Sequence, residues 1–335
     1  MAKKMPIPME LRYSFAIGVW TSMHKGFLYA LREKYGAAAA LEIFGRVYEM
    51  GDRVKNLTNT LLTIFNLQDN DAETLGEVLD IWDELTGIES TILERSKTIN
   101  RRKVTKCAWK TEPIDVSDWN LPFIHSITKT INPKVTFERP KVMCTGDSYC
   151  EYVWKLEEST PIEGEVEPIT KKLETPCAAP KREIPWELKY NIAMKSMSDF
   201  FRGWMYAIRE KYGAEEALEI CERVFKMGDT LKNFTNTIRK IFNLEGNDAE
   251  TIWEWWDIWY EIAGYEYTWP ERSKTSARQK ITKCPFKMEY KDIGDFGLIF
   301  ANIVIKTINP KATIEHLKGM CDGDPYCEYV FKIEE

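Results

Sequence analysis

The feature that most constrains this chain is a duplication in fixed register. "LREKYGAAAALEI" at Leu31–Ile43 returns as "IREKYGAEEALEI" at Ile208–Ile220. "IFNLQDNDAET" from Ile64 returns as "IFNLEGNDAET" from Ile241, and "MCTGDSYCEYVWKLEE" from Met143 returns as "MCDGDPYCEYVFKIEE" from Met320. Each pair lies 177 positions apart, as Cys107 does from Cys284 and Cys144 from Cys321. A period this long means two whole domains, not a solenoid of short units. The 335 residues suit two domains of ordinary size. The expected organisation is a first repeat at 1–158, a linker rich in Pro and Glu at 159–182, and a second repeat at 183–335.

Within each copy the first two-thirds reads as helix. Apolar residues recur at three-and-four spacing from Ala30 to Leu67, broken by Gly36 and Gly51. "NDAET" is a helix start, with Asn70 or Asp71 able to cap and Glu73 in the first turn. The last third changes period. "RRKVTKCAW", "PKVTFERPKVMC" and "YCEYVWKLE" read as strands. The predicted class is therefore α+β, with two tandem domains. Each has several helices followed by a small antiparallel sheet that ends in a cysteine hairpin.

Charge and hydropathy exclude some roles. The net charge of −6 opposes nucleic-acid binding, which wants a basic face. No apolar run approaches the length of about 20 residues that spans a bilayer. The N-terminus lacks the apolar core of a signal peptide. The expectation is a cytoplasmic protein without a membrane partner, whose clustered cysteines are reduced.

Three cysteines recur per copy: Cys107, Cys144 and Cys150, then Cys284, Cys321 and Cys327. A Gly-Asp turn between the last two of each set brings their sulfurs together. None of the three histidines repeats, since His24 aligns with Phe201, His125 with Asn302 and His316 with Arg139. A site common to both copies cannot use them. Four readings stay open. Zinc could be held by three thiolates, with the turn carboxylate of Asp147 or Asp324, water or substrate in fourth place. An iron–sulfur cluster could sit on three cysteines with one iron open. A cysteine could be reactive without metal. The cysteines could also be small buried apolar residues in a turn. Cys177 sits in the linker without a counterpart, and Cys221 aligns with Phe44 and reads as a packed helix residue.

Other residues are candidates for ligand binding. Trp253, Trp256 and Tyr260 share a face of a helix that has five tryptophans where the first copy has one. That face is either core or an aromatic wall for a flat ligand. Asp52 and Asn56 persist as Asp229 and Asn233, and either line pockets in both copies or face water. "ERSKT" supplies Arg95 and Arg272, which could grip a carboxylate.

Taken together, "LREKYG", "ALEI", "TKCPF", "INPK" and the terminal "CEYVF" resemble the family of L-2-amino-thiazoline-4-carboxylic acid hydrolase-like proteins. The resemblance covers almost all of each copy. It implies hydrolytic ring opening by C–S cleavage. Members usually have one copy, often with a further cysteine upstream of the "NP" segment. The helices-then-sheet layout is also similar to 4-vinyl reductase domains, which implies small-molecule binding and, in some, a zinc held by cysteines. Three functions follow as expectations. One is a hydrolase or lyase acting on a small sulfur- or nitrogen-containing molecule at a metal-bearing three-cysteine site. Another is a tandem sensor or carrier with a structural zinc or iron–sulfur site. In the third, one copy binds and the other completes an intramolecular pseudo-dimer.

Overall fold

The computed structural model describes residues 6–157, 177–178 and 183–334. The first copy runs α1 (Met9–Tyr35), α2 (Ala37–Glu49), α3 (Arg53–Ile64), α4 (Ala72–Thr86), β1 (Glu89–Arg95), β2 (Ile99–Lys106), α5 (Leu121–Ile131), β3 (Val135–Lys141) and β4 (Cys150–Leu156). A two-residue strand, β5 (Cys177–Ala178), pairs with β1. The second copy repeats the order as α6 (Trp186–Tyr212), α7 (Ala214–Lys226), α8 (Thr230–Ile241), α9 (Ala249–Ala263), β6 (Glu266–Arg272), β7 (Ser276–Lys283), α10 (Phe296–Ile308), β8 (Ala312–Lys318) and β9 (Cys327–Ile333). The architecture is α+β, with helices preceding an antiparallel four-stranded sheet in each copy.

Local chemistry sets the element ends. Gly36 has φ of 86°, which a residue with a Cβ adopts only under strain, so α1 stops and α2 begins there. Asp71 caps α4 by accepting from the Thr74 N–H at 2.9 Å, and Asp248 does the same for Thr251. The "INP" motif also has a structural task. The Asn132 side chain donates to the Asn70 carbonyl at 2.6 Å, and Asn309 donates to Asn247 at 2.7 Å. Each ties the segment after the late helix to the loop before the capped one.

The sheet order is β3-β4-β2-β1 in the first copy and β6-β7-β9-β8 in the second. The cysteine-bearing strands β4 and β9 are therefore central. Cys150 stands opposite Val104, and Cys327 opposite Ile281. The stretch expected to be strands alone also contains a helix. α5 and α10 cross between β2 and β3 and between β7 and β8. Ile124, Ile127 and Ile131 give α5 its buried face, and a proline sits in its first turn.

The compact units in space do not coincide with the copies in sequence. One unit takes the chain up to Lys34 together with everything from Trp186 onward, and the other is Tyr35–Pro185. Thus α1 belongs to the first copy by sequence and packs with the second. The reason is an aromatic stripe. Trp20 stacks on Phe200 with ring centroids 5.6 Å apart, and Phe27 stacks on Trp204 at 4.9 Å. Such pairs add about 0.5–1.5 kcal/mol each beyond their burial. Ion pairs close both ends of the helix. Arg12 meets Glu261, and Lys34 meets Glu216 and Glu219 at 2.6 Å each. The linker expected at 159–182 lies outside the described residues, apart from β5.

His24 sits inside this stripe, 4% exposed, edge-on to Trp204. Burial, with a smaller contribution from Lys25, pushes its pKa down to about 3. The unfolded chain protonates His24 near 6.5, before the folded chain does. The folded state therefore loses stability as pH falls from 6.5 toward 3 and keeps it above 6.5. In urea unfolding, His24→Phe (the second copy has Phe201 there) should abolish a loss of about 3 kcal/mol between pH 7 and pH 4. Equal pH slopes in wild type and variant would show that α1 is not docked as described.

Candidate ligand cavity and cysteine site

The second copy has a partly open cavity of about 90 Å³ between α9, α10 and the inner face of its sheet. Its walls are aromatic: Phe201 from α6, Phe225 from α7, Trp256, Trp259 and Tyr260 from α9, and Phe300 from α10. Val19 and Met23 of α1 complete them. At one end lie Cys284, Cys321 and Cys327 with Tyr265 and Tyr329. Beside them, the Tyr260 hydroxyl donates to Gln279 Oε1 at 2.6 Å, with the Tyr260 and Tyr265 rings 4.7 Å apart. The repeat of six-membered and indole rings on α9 follows from its three-and-four spacing, which points Trp256 and Tyr260 the same way and stacks them at 5.2 Å.

Every sulfur of the two triads accepts a backbone N–H. Cys321 accepts from Met288 at 3.3 Å, Cys327 from Met320 at 3.3 Å, and Cys284 from Phe286. In the first copy Cys144 accepts from Thr111 at 3.4 Å, Cys150 from Met143 at 3.2 Å, and Cys107 from Trp109. Tyr265 and Tyr329 donate their hydroxyls to Cys284 and Cys327. Even so, burial pushes the Cys107 and Cys284 thiols up to about 12 and raises Cys150, Cys321 and Cys327 as well. These five thiols are protonated near neutral pH. Among the described residues, no three His, Cys, Asp or Glu side chains are gathered closely enough to hold a metal ion. Zinc or an iron–sulfur cluster would need the sulfurs to draw together.

The remaining sequence candidates divide. Trp256 and Tyr260 line the cavity, whereas Trp253 lies outside it under the Arg272 guanidinium, 4.2 Å from its ring centre. Asp147 and Asp324 are the hairpin's own braces. Their carboxylates accept from the Val142 N–H at 2.8 Å and the Gly319 N–H at 3.0 Å. Asp52, Asn56, Asp229 and Asn233 are exposed. The two aspartates hold left-handed backbone at the start of α3 and α8, and the asparagines donate to the Gly51 and Gly228 carbonyls. Their persistence in both copies is accounted for by this helix junction. Asp229 also borders an open groove beside Lys232 and Lys306. Arg95 of "ERSKT" grips a carboxylate as its chemistry suggested, but the carboxylate is the chain's own Asp80, at 2.7 and 3.0 Å. Cys221 is fully buried in α7.

The two copies differ most where the cavity lies. In the first copy, Arg102 and Asp83 stand at the positions of Gln279 and Tyr260. Arg102 is 1% exposed and donates to Asp80 and, at 3.1 Å, to Asp83, which also accepts from Ser90 at 2.6 Å. Burial lifts the Asp83 carboxyl to about 6, against the pull of Arg102. Asn120, Ile124 and Val142 replace Gly297, Ala301 and Gly319. Arg139, where the second copy has His316, donates to the Asn120 side chain and the Ser117 carbonyl at 3.2 Å each. The same fold thus holds a charged, latched interior in one copy and an aromatic cavity in the other. Sequence reasoning noticed the tryptophans but missed Gln279 and the three small residues. The readable signal was the column of paired differences at 177-residue spacing.

The charged interior makes a testable demand. Arg102→Leu leaves the buried Asp83 carboxyl without a cation and Asp80 with Arg95 alone, and should cost about 3–5 kcal/mol in denaturant unfolding. Gln279→Leu leaves only a neutral hydroxyl to re-pair and should cost about 1–2 kcal/mol. Equal losses would refute the contrast drawn between the two interiors. No protein-family model, curated protein or solved structure matches this chain.

Proposed function

We propose that this protein binds a small molecule in the cavity of its second copy, with the first copy kept as its structural partner. One observation carries the reading. Positions that hold a neutralised arginine, a carboxylate and larger side chains in the first copy are given in the second to Gln279, Tyr260, two glycines and an alanine around an aromatic-walled space. Apolar cavities with a few polar groups are the usual form of small-molecule sites. The hydrolase or lyase reading has less behind it. It asks for an activated nucleophile, while burial holds the thiols protonated and the Asp324 carboxylate is engaged by its own hairpin.

A second reading, a thiolate-bound zinc or iron–sulfur centre, is favoured by the N–H donor on each of the six sulfurs. Donors of this kind stabilise thiolate charge. Metal and acid-labile sulfide content of protein purified without oxygen decides it. Stoichiometric metal in both copies would support it, and metal-free protein that keeps its stability would remove it.

Importing first-copy residues tests the cavity directly. The double variant Gly297→Asn, Ala301→Ile should fold, since a Cβ at 297 meets only the Tyr329 hydroxyl at 3.5 Å. Its melting temperature should equal or exceed that of wild type, because cavity filling stabilises. Isopropylbenzene binding, followed by calorimetric titration, should weaken at least tenfold. Undiminished binding in a folded variant would place the ligand elsewhere.

A further inference from the structure

The cavity is not uniformly apolar, and its polar atoms are unbalanced. Trp256 is 4% exposed and Gln279 fully buried, and both line the space. Trp256 Nε1 and Gln279 Nε2 have no hydrogen-bond partner among the described residues. Tyr260 links the two residues, since its ring stacks on Trp256 and its hydroxyl donates to Gln279. An indole N–H can only donate, so it asks for an acceptor whichever way the Gln279 amide is turned. A buried donor left unpaired costs about 1–3 kcal/mol, which an occupant with an acceptor would recover. Charge narrows the choice further. Among the described lining residues there is no Lys or Arg; His316, whose buried Nε2 also has no hydrogen-bond partner, lies with Asp322 against Gly319. An anion would enter without a counter-charge and face a carboxylate. Size is the third limit. The space of about 90 Å³ is smaller than the roughly 150 Å³ cavity that takes benzene, so it admits at most a single ring.

Resting on the binding reading above, we infer that the ligand is a neutral one-ring molecule carrying a carbonyl-type acceptor, received by Trp256 Nε1 and Gln279 Nε2 between the aromatic walls. A carboxylate of the same shape is disfavoured, because no lysine or arginine lines the space and Asp322 does. Arg102 and Arg139 of the first copy stand at the positions of Gln279 and His316, so the second copy lacks both guanidiniums.

Three probes of nearly the same shape separate the claims: acetophenone, isopropylbenzene and benzoate, titrated calorimetrically into the full chain at pH 7. Acetophenone should bind at least tenfold more tightly than benzoate. Trp256→Phe and Gln279→Met, which remove the donor and keep an apolar side chain, should each weaken acetophenone about tenfold more than they weaken isopropylbenzene. Two independent variants guard against one that fails to fold, and melting curves report which are intact. Benzoate binding as tightly as acetophenone, or equal effects of the variants on acetophenone and isopropylbenzene, would overturn the inference while the cavity reading survived. If neither acetophenone nor isopropylbenzene binds wild type, the cavity reading falls and this inference with it.

Discussion

A buried guanidinium dictates its surroundings. Arg102 cannot be deprotonated and cannot be left unpaired, so Asp80 and Asp83 must stand beside it, with Arg95 and Ser90 completing their hydrogen bonds. No ring can enter that space without orphaning a charge. The second copy exchanges the arginine for Gln279 and one carboxylate for Tyr260, which leaves the net charge of the pair unchanged. The surviving Asp257 and Arg272 then meet near the surface at 3.3 Å, with the Trp269 indole also donating to Asp257. Removing one charge pair from the interior is what permits aromatic walls there. The cavity is a consequence of that exchange as much as of the glycines.

The closure of the cavity depends on a helix from the other copy's sequence. Val19 and Met23 line it from α1, and they are held there by the Trp20–Phe200 stack between them and the Phe27–Trp204 stack one turn further on. A buried, neutral His24 in the same stripe means that acid weakens the wall before it weakens the sheet. The cavity lining therefore draws on residues more than three hundred positions apart, although the sheet, cysteines and polar floor are all local to the second copy.

Much of the fold was legible because it is written in short-range chemistry. Asp71 at a helix start, Gly36 at a helix end and a Gly-Asp turn between cysteines each act over a few residues. What was not legible depended on partners. The α5 helix is only eleven residues and lies between strands, and its apolar face is defined by the sheet and helices it meets. Nothing in α1 alone says which copy it will pack against, because Trp20 and Phe27 would suit either. Trp253 shows the same limit from the other side. It shares the helix face of Trp256, yet one turn nearer the helix start it passes beyond the cavity and stacks under Arg272. Spacing assigns a face, but the depth of a pocket is decided in three dimensions.

A duplication separates what a fold needs from what a site needs. Three cysteines occur in each copy at matching positions, and in both copies they accept backbone N–H groups from matching positions. Their persistence is matched by a shared structural task, common to a copy with a cavity and a copy with a salt-bridged interior. The positions that track the cavity are the ones that differ: Gln279 against Arg102, Tyr260 against Asp83, Gly297 against Asn120, Ala301 against Ile124. In one chain carrying its own reference copy, a residue present twice reports on folding before it reports on function. The ligand's chemistry is therefore better sought in the unmatched residues, where a cation has been given up and an indole N–H left waiting.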